Sequence, residues 1–351
     1  MNEHKRVNNI HPLFQAVTLL ITMIIIGFLC FRFMDRFCAL DLKPSIHLLS
    51  ESEMDQLKED EIDVGFSVTD LINFDTTQNE FVISGLISFL FNPKKISLLQ
   101  VENFSFEKGV ILSKLLVQTK NEGDKTLVTY DIKLSFKNNM YHGYFPFEDH
   151  RIFFVLDNKN ITIDQGLFRI NKENLIINGD TYISGWKYRS KNIFEGYTTS
   201  KISLNKQVLQ EIKNPRIIFE MDFYHHSLRY LYLVILPLLL IFMIEMFSFS
   251  VDQKMYKDTL FQMSIVNIGA LFAYRFVIQT IAPNVGYLTI ADFLFLLFLS
   301  TSFITFVVNC TGFYLSEWQK KIACVSLQLY VIFAFICILE FWPKCSVFLY
   351  D

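Results

Sequence analysis

Five apolar segments framing one long polar stretch constrain this chain more than any other feature. A helix needs roughly 20 mostly apolar residues to cross about 30 Å of hydrocarbon. Five segments meet that demand. His11 to Phe31 carries no Asp, Glu, Lys or Arg, and Tyr230 to Val251 carries only Glu245. Thr259 to Ala291 is long, with Arg275 inside it and a break at Pro283. Phe293 to Ser316 and Ile322 to Leu339 are uncharged. Between the first and second segments lies a more polar stretch of some 200 residues, more than a loop requires.

Composition agrees. Hydrophobic residues make up 52% of the 351 and charged residues 19%, a departure from soluble chains in the membrane direction. The net charge is −3, and no basic run of the kind that grips phosphate backbones occurs, so no nucleic-acid partner is expected. The cysteines are Cys30, Cys38, Cys310, Cys324, Cys337 and Cys345. None falls in the polar middle, which therefore holds no disulfide, and none has the spacing of a metal site. They read as small apolar packing residues. No cofactor is expected.

Lysines and arginines near the spans set the topology. Lys5 and Arg6 precede the first span, Lys254 and Lys257 follow the second, and Lys320 and Lys321 precede the last. The turn from Ile281 to Leu288 has none. The N-terminus is then inside, residues 45–228 outside and the C-terminus outside. Arg32 and Arg36 run against this pattern. The first span reads as an uncleaved anchor, because its apolar run is long and no A-x-A-like site follows; a signal peptide is the alternative. Trp318 and Trp342 sit where interfacial aromatics belong.

The polar middle reads as strands. Glu80 to Phe89, Thr126 to Phe136, Arg151 to Leu156 and Pro215 to Phe223 are β-rich and partly alternating. Asn92-Pro93, Asn121 to Asp124, Asn138-Asn139 and Asn178 to Asp180 punctuate them as turns. Many short strands of this kind make a β-sandwich. Glu51 to Ile62 reads as a charged short helix or linker. No nucleophile elbow, Gly-rich phosphate loop or HExxH appears, so no enzyme is expected. The pairs Glu61/Asp63 and Glu220/Asp222 read as solvated charges. His142, His150, His225 and His226 lack a ligand-like spacing and read as exposed or interfacial, with pH sensing as the alternative.

Several short motifs fall in a telling order. Phe145-Pro146-Phe147-Glu148-Asp149-His150 is followed by Ser184-Gly185-Trp186, then Leu236-Pro237, then Ala282-Pro283-Asn284-Val285-Gly286-Tyr287-Leu288-Thr289. This order resembles the bacterial pentameric ligand-gated (Cys-loop-type) ion channels over residues 64–343. Val64 to Phe91 is similar to the family's first two strands. Phe145 to His150 looks like its F-P-F-D-x-Q loop, with Glu148 at the Asp and His150 at the Gln. Pro237 matches the Pro of the first pore-domain helix, and residues 282–289 match the linker between the second and third. Departures exist. The stretch from Phe91 to Phe145 is short, no W-x-P ligand segment is visible, His225 stands where an Arg is usual, and the N-terminal span is additional.

The resemblance implies a mixed membrane protein. An extracytoplasmic β-sandwich (45–228) is followed by a four-helix transmembrane bundle (229–343), with an extra N-terminal transmembrane anchor (1–36) and a short outer tail (344–351). It implies a homopentamer in the bacterial inner membrane, passing inorganic ions. The agonist, a small molecule or a proton, binds the sandwich. The implied gating interface is Asp75, Phe145, Pro146, Phe147, Glu148, His225, His226, Pro283 and Tyr287, with acidic groups against histidine. A non-conducting membrane sensor and a structural envelope protein are the alternatives.

The pore-lining helix is expected around 258–280, the least apolar span, since polar residues in a span face a bundle interior or water. Counting back from Pro283, the family register turns Asp258, Gln262, Val266, Gly269, Ala273, Phe276 and Gln279 to the lumen. Five Asp258 carboxylates would then ring the inner mouth and favour cations. A rival register turns Ser264, Asn267, Leu271 and Arg275 inward and favours anions. In the first register, Arg275 is expected to pair with Asp292.

Overall fold

The computed structural model describes residues 12–48, 61–76, 78–177, 185–204, 207–225, 228–252 and 255–340. They form two compact units. A strand unit takes the described residues of Ala39–Tyr141 and Asp149–His226, and a helical unit takes those of Met1–Cys38, His142–Glu148 and Ser227–Asp351. The strand unit is sandwich-like. The helices of the other are those of a multi-pass membrane protein.

The strand unit holds β1 (His47–Leu48), β2 (Glu61–Asp75), β3 (Glu80–Phe91), β4 (Phe104–Phe106), β5 (Gly109–Glu122), β6 (Lys125–Lys137), β7 (His150–Asn158), β8 (Leu167–Arg169), β9 (Leu175–Ile177), β10 (Trp186–Leu204) and β11 (Gln207–His225). One sheet runs β1-β10-β11-β7-β4 and the other β5-β6-β3-β2-β8, with β9 also on β2. Strict alternation builds the core between them. Phe81, Ile83, Ile87, Phe89 and Phe91 of β3 and Val128, Tyr130, Ile132, Leu134 and Phe136 of β6 point the same way and are buried. Phe154 and Phe219 of the other sheet meet Phe66 of β2 at ring-centroid distances of 6.2 and 5.1 Å. Each such ring contributes roughly 1.5–3 kcal/mol by leaving water. The turn expected at Asn121 to Asp124 is the β5–β6 hairpin, where Gly123 supplies φ +66°.

Two expectations are corrected in this unit. Residues 51–60 lie outside the described residues, but Glu61 and Ile62 open a strand, and Ile62 is fully buried. Glu220 and Asp222 are not solvated. Both are buried, because Arg151 reaches Asp222 at 2.8 Å and Glu220 at 3.4 Å while Asn192 and Ser190 donate to the same carboxylates. Glu61 pairs with Arg169 and Asp63 with Lys125, each at 3.1 Å.

The segment 39–48 lies over the outward face of the β1-β10-β11-β7-β4 sheet. Ile46 and Phe194 pack on Phe153, Val155 and Ile218. The Asp41 carboxylate accepts from the backbone N–H of Tyr141 at 2.8 Å and of Arg151 at 2.6 Å. At Gly196 a Cβ would sit 2.2 Å from the His47 carbonyl oxygen, so only glycine lets β1 pair there. Near this strap Arg216 grips both oxygens of Asp157, at 2.7 and 2.8 Å, and donates to the Ser45 carbonyl. Burial pushes the Asp157 carboxyl above its ordinary range, and Arg216 offsets that only in part.

Five helices, α1 (Pro12–Met34), α2 (Leu228–Phe247), α3 (Lys257–Ile281), α4 (Ile290–Thr311) and α5 (Glu317–Glu340), are each long and apolar enough to cross a membrane. Pro237 lies inside α2 and does not interrupt it. The long third apolar segment divides at Ala282, and α4 begins at a capping box in which Thr289 and Asp292 satisfy each other's backbone N–H. Paired contacts fix the directions. Arg275 meets Asp292 and Ser264 meets Asn309, so α3 and α4 are antiparallel. Glu245 meets Ser302 and Ser248 meets Asn309, so α2 and α4 are parallel. The links 252–256 and 312–316 share one end of the bundle and the link 282–289 takes the other.

Removing one partner of a buried pair leaves the other charge uncompensated. Arg216→Ala should therefore destabilise the strand unit by about 3–5 kcal/mol. Thermal melts of the full chain in detergent, followed on the β-sheet circular dichroism, measure this. A midpoint equal to the parent's would show the Arg216 fork to be dispensable.

Candidate functional site

The site has two parts, both in the helical unit: one face of α3 and a loop docked at one end of the bundle. α3 is the least apolar of the five helices and the least covered by its own chain. Its buried residues are Leu260, Ser264, Asn267, Leu271 and Ile278, spaced three, four or seven apart along one stripe. Asp258, Gln262, Val266, Gly269, Ala273, Phe276 and Gln279 are all exposed on the opposite side. Val266 keeps 65% and Phe276 69% of its surface. Nothing lies within 4 Å of a Cβ built at Gly269.

That division separates the two registers. The rival set faces the chain's own helices. Ser264 donates to the Leu260 carbonyl at 3.0 Å and accepts from Asn309 at 2.9 Å. Leu271 is fully buried and Asn267 nearly so. Arg275 pairs with Asp292 of α4 within one chain and lies over the Phe295 ring at 5.4 Å, the pairing the sequence led us to expect. This set is thus buried or paired within a single chain. Asp258 sits in the first turn of α3, where the helix dipole favours a carboxylate.

The second part is the loop His142–Glu148. Phe145 and Phe147 are buried in the apolar core of the helical unit. The loop is latched to the start of α4 by backbone bonds. The Ile290 N–H donates to the Gly143 carbonyl and the Ala291 N–H to the Phe145 carbonyl, each at 3.0 Å. The Tyr287 hydroxyl accepts from the His142 N–H at 2.8 Å. The α3–α4 link is thus tied to this loop at both Tyr287 and its end. The Phe145–Pro146 peptide is cis.

Glu148 finds its histidine within the loop. His142 Nδ1 lies 3.0 Å from Glu148 Oε2, with both side chains buried. The expected partner, His225, belongs to the strand unit, where its ring meets Trp186 and its N–H donates to Asp149 at 2.9 Å. His226 lies outside the described residues. Asp75, also in the strand unit, accepts from the Gln78 N–H at 3.0 Å across the β2–β3 turn. His142 and His150 are fully buried and not exposed as expected; His150 stands 3.5 Å from Asp41. Spacing gave no sign of the His142–Glu148 contact, although six residues across a turn-rich loop is within reach.

A cavity of about 460 Å³ lies beside the α3–α4 link, lined by Arg275, Gln279, Asp292 and link residues from Ala282 to Thr289, Pro283 and Tyr287 among them. The residues missed from sequence are Gln15, Thr18 and Thr22 of α1, polar positions in an otherwise apolar span. Gln15 donates to the Met246 carbonyl, and Thr22 and Thr18 bond Gln328, each at 3.4 Å. Their polarity was the available signal.

Comparison with protein families and with curated proteins finds no match. The reading of the site therefore stands on its geometry.

Asp292 serves both Arg275 and the cap of α4. Asp292→Asn keeps an acceptor for the cap and removes the charge opposite Arg275. It should destabilise the helical unit, and Arg275→Gln should restore part of the loss, with a coupling of roughly 0.5–3 kcal/mol. Thermal melts of the four proteins in detergent measure the cycle. Strictly additive effects would show that the pair carries no energy.

Proposed function

We propose that this chain is a subunit of a pentameric ligand-gated ion channel of the bacterial type, with its pore lined by α3. The observation that carries the proposal is the α3 face. A span that turns Asp258, Gln262 and Gln279 away from its own bundle leaves polar groups that hydrocarbon does not tolerate. Copies of the chain around a shared axis would place that face on water. Five Asp258 carboxylates at one mouth would favour cations.

Three other features support the reading. The strand order β5-β6-β3-β2 against β10-β11-β7 suits a sandwich built to contact copies of itself. β5 is an edge strand whose Val110, Leu112, Leu115, Leu116 and Val117 are all exposed, and such an edge needs cover. The links 252–256 and 312–316 share the end where Lys257, Lys320 and Lys321 lie, which would make that end cytoplasmic. Arg36, one of the two charges against that topology, is paired with Glu340 at 2.7 Å. The strand unit would then lie outside the bacterial inner membrane and take the agonist, a small molecule or a proton.

Gating follows from the latch. The loop 142–148 runs straight into β7 at His150. A shift of β7 on agonist binding would move Gly143 and Phe145, and with them the end of the α3–α4 link. The agonist needs only to bias a two-state equilibrium by a few kcal/mol.

Two measurements test this. The detergent-solubilised particle should have the mass of five chains, and purified protein should give single-channel steps in planar bilayers. A monomer, or a pentamer without conductance, would return the reading to a membrane sensor or a structural envelope protein. Asp258→Asn should lower cation over anion permeability with assembly intact, read as a shifted reversal potential in a salt gradient. An unchanged reversal potential would remove Asp258 from the selectivity ring.

A further inference from the structure

We infer that the N-terminal helix α1 is a fixed part of the gating apparatus, with Phe33 as the positioning residue that holds the loop Tyr144–Phe147 against the start of α4. The Phe33 ring meets the Phe147 ring edge-on at 5.2 Å between centroids and the Tyr144 ring at 6.2 Å. Phe33 is buried among residues of the same cluster that holds Phe145, Ile290 and Ala291. The latch to α4 thus has bundle on one side and α1 on another.

A contact at the tip of a helix positions something only if the helix itself cannot slide. α1 is held along its whole length. Gln15, Leu19, Thr22, Ile26, Cys30 and Phe33 form one buried stripe, spaced by three and four residues as a helix–helix seam requires. In lipid, apolar contact alone gives little drive for helices to associate, so polar pairs decide the partner. Gln15 bonds the Met246 carbonyl of α2, and Thr22 and Thr18 bond Gln328 of α5. Arg36 and Glu340 close the other end. The contacts 22 to 328 and 36 to 340 set α1 parallel to α5. The helix is a strut whose far end bears on the coupling loop.

The inference rests on the channel reading for its gating role, and the experiment separates the two. Full-length Phe33→Ala, Phe33→Leu and Phe31→Ala proteins are compared with the parent. Phe31 is two residues away on the exposed side of α1 and serves as the control. Hydrogen exchange of the peptide covering Ile290 and Ala291 reads the latch without any need for current. Phe33→Ala should speed exchange there by roughly three- to tenfold, Phe33→Leu less, and Phe31→Ala not at all. Bilayer recordings without agonist then read open probability, which should change in Phe33→Ala alone. Equal exchange in Phe33→Ala and Phe31→Ala overturns the positioning role. Faster exchange with unchanged opening overturns the gating role. A parent that never conducts overturns the channel reading while the exchange result still decides what Phe33 holds. Where Phe33→Ala does not fold, Phe33→Leu gives the same comparison at smaller amplitude.

Discussion

In hydrocarbon, apolar side chains gain little by leaving lipid for one another, so the few polar residues of a helical bundle decide which helices touch. That constraint organises the whole helical unit. Glu245 accepts from Ser302, and Asn309 bridges Ser248 and Ser264, at 3.2 and 2.9 Å, which ties α2, α3 and α4 at one end. Arg275 and Asp292 tie α3 to α4 at the other. Gln15 ties α1 to α2, and Thr18 and Thr22 tie it to Gln328 of α5. Few of these residues are needed for span length or hydropathy. Each is needed for the arrangement.

The same rule sorts the polar residues of α3 into two sets. Ser264 accepts from Asn309 and Arg275 pairs with Asp292, both of α4 and within the chain. Asp258, Gln262 and Gln279 lie on the exposed face. A helix that has used one polar set to dock and kept another outward is oriented about its own axis by its own chain. The face left exposed is therefore a consequence of how one chain packs. Burial within one chain thus separates two sets of residues that spacing alone does not.

Sequence reading succeeded where one physical signal dominated. Span hydropathy located the five long helices, and β-rich, partly alternating runs located β3, β6, β7 and the second half of β11. It failed where tertiary contacts set the outcome. β5, with Val110, Leu112, Leu115, Leu116 and Val117, has no polar–apolar alternation, because it is an edge strand exposed on both faces. Glu220 and Asp222 alternate like solvated residues, but Arg151 comes from β7 to bury them. Glu148 was legible as acidic and close to a histidine. Which histidine depended on the loop folding back so that His142 meets it, and no spacing rule encodes that.

The loop 142–148 shows most clearly how the two scales meet. Its sequence stands out as a dense run of aromatics around one proline and one carboxylate, in a region otherwise built of alternating strands. The aromatics bury among the helices, and the backbone between them carries the information. Gly143 and Phe145 offer carbonyls to Ile290 and Ala291, two of the N–H groups that a helix start leaves without an intrahelical partner. The loop thus completes the cap that Thr289 and Asp292 begin. A cap shared between a helix and a distant loop makes the helix start conditional on where the loop sits. Any displacement of the loop then costs α4 part of its first turn, and the α3–α4 link, held also through Tyr287, must follow. The coupling needs no contact beyond those that satisfy ordinary helix-end chemistry.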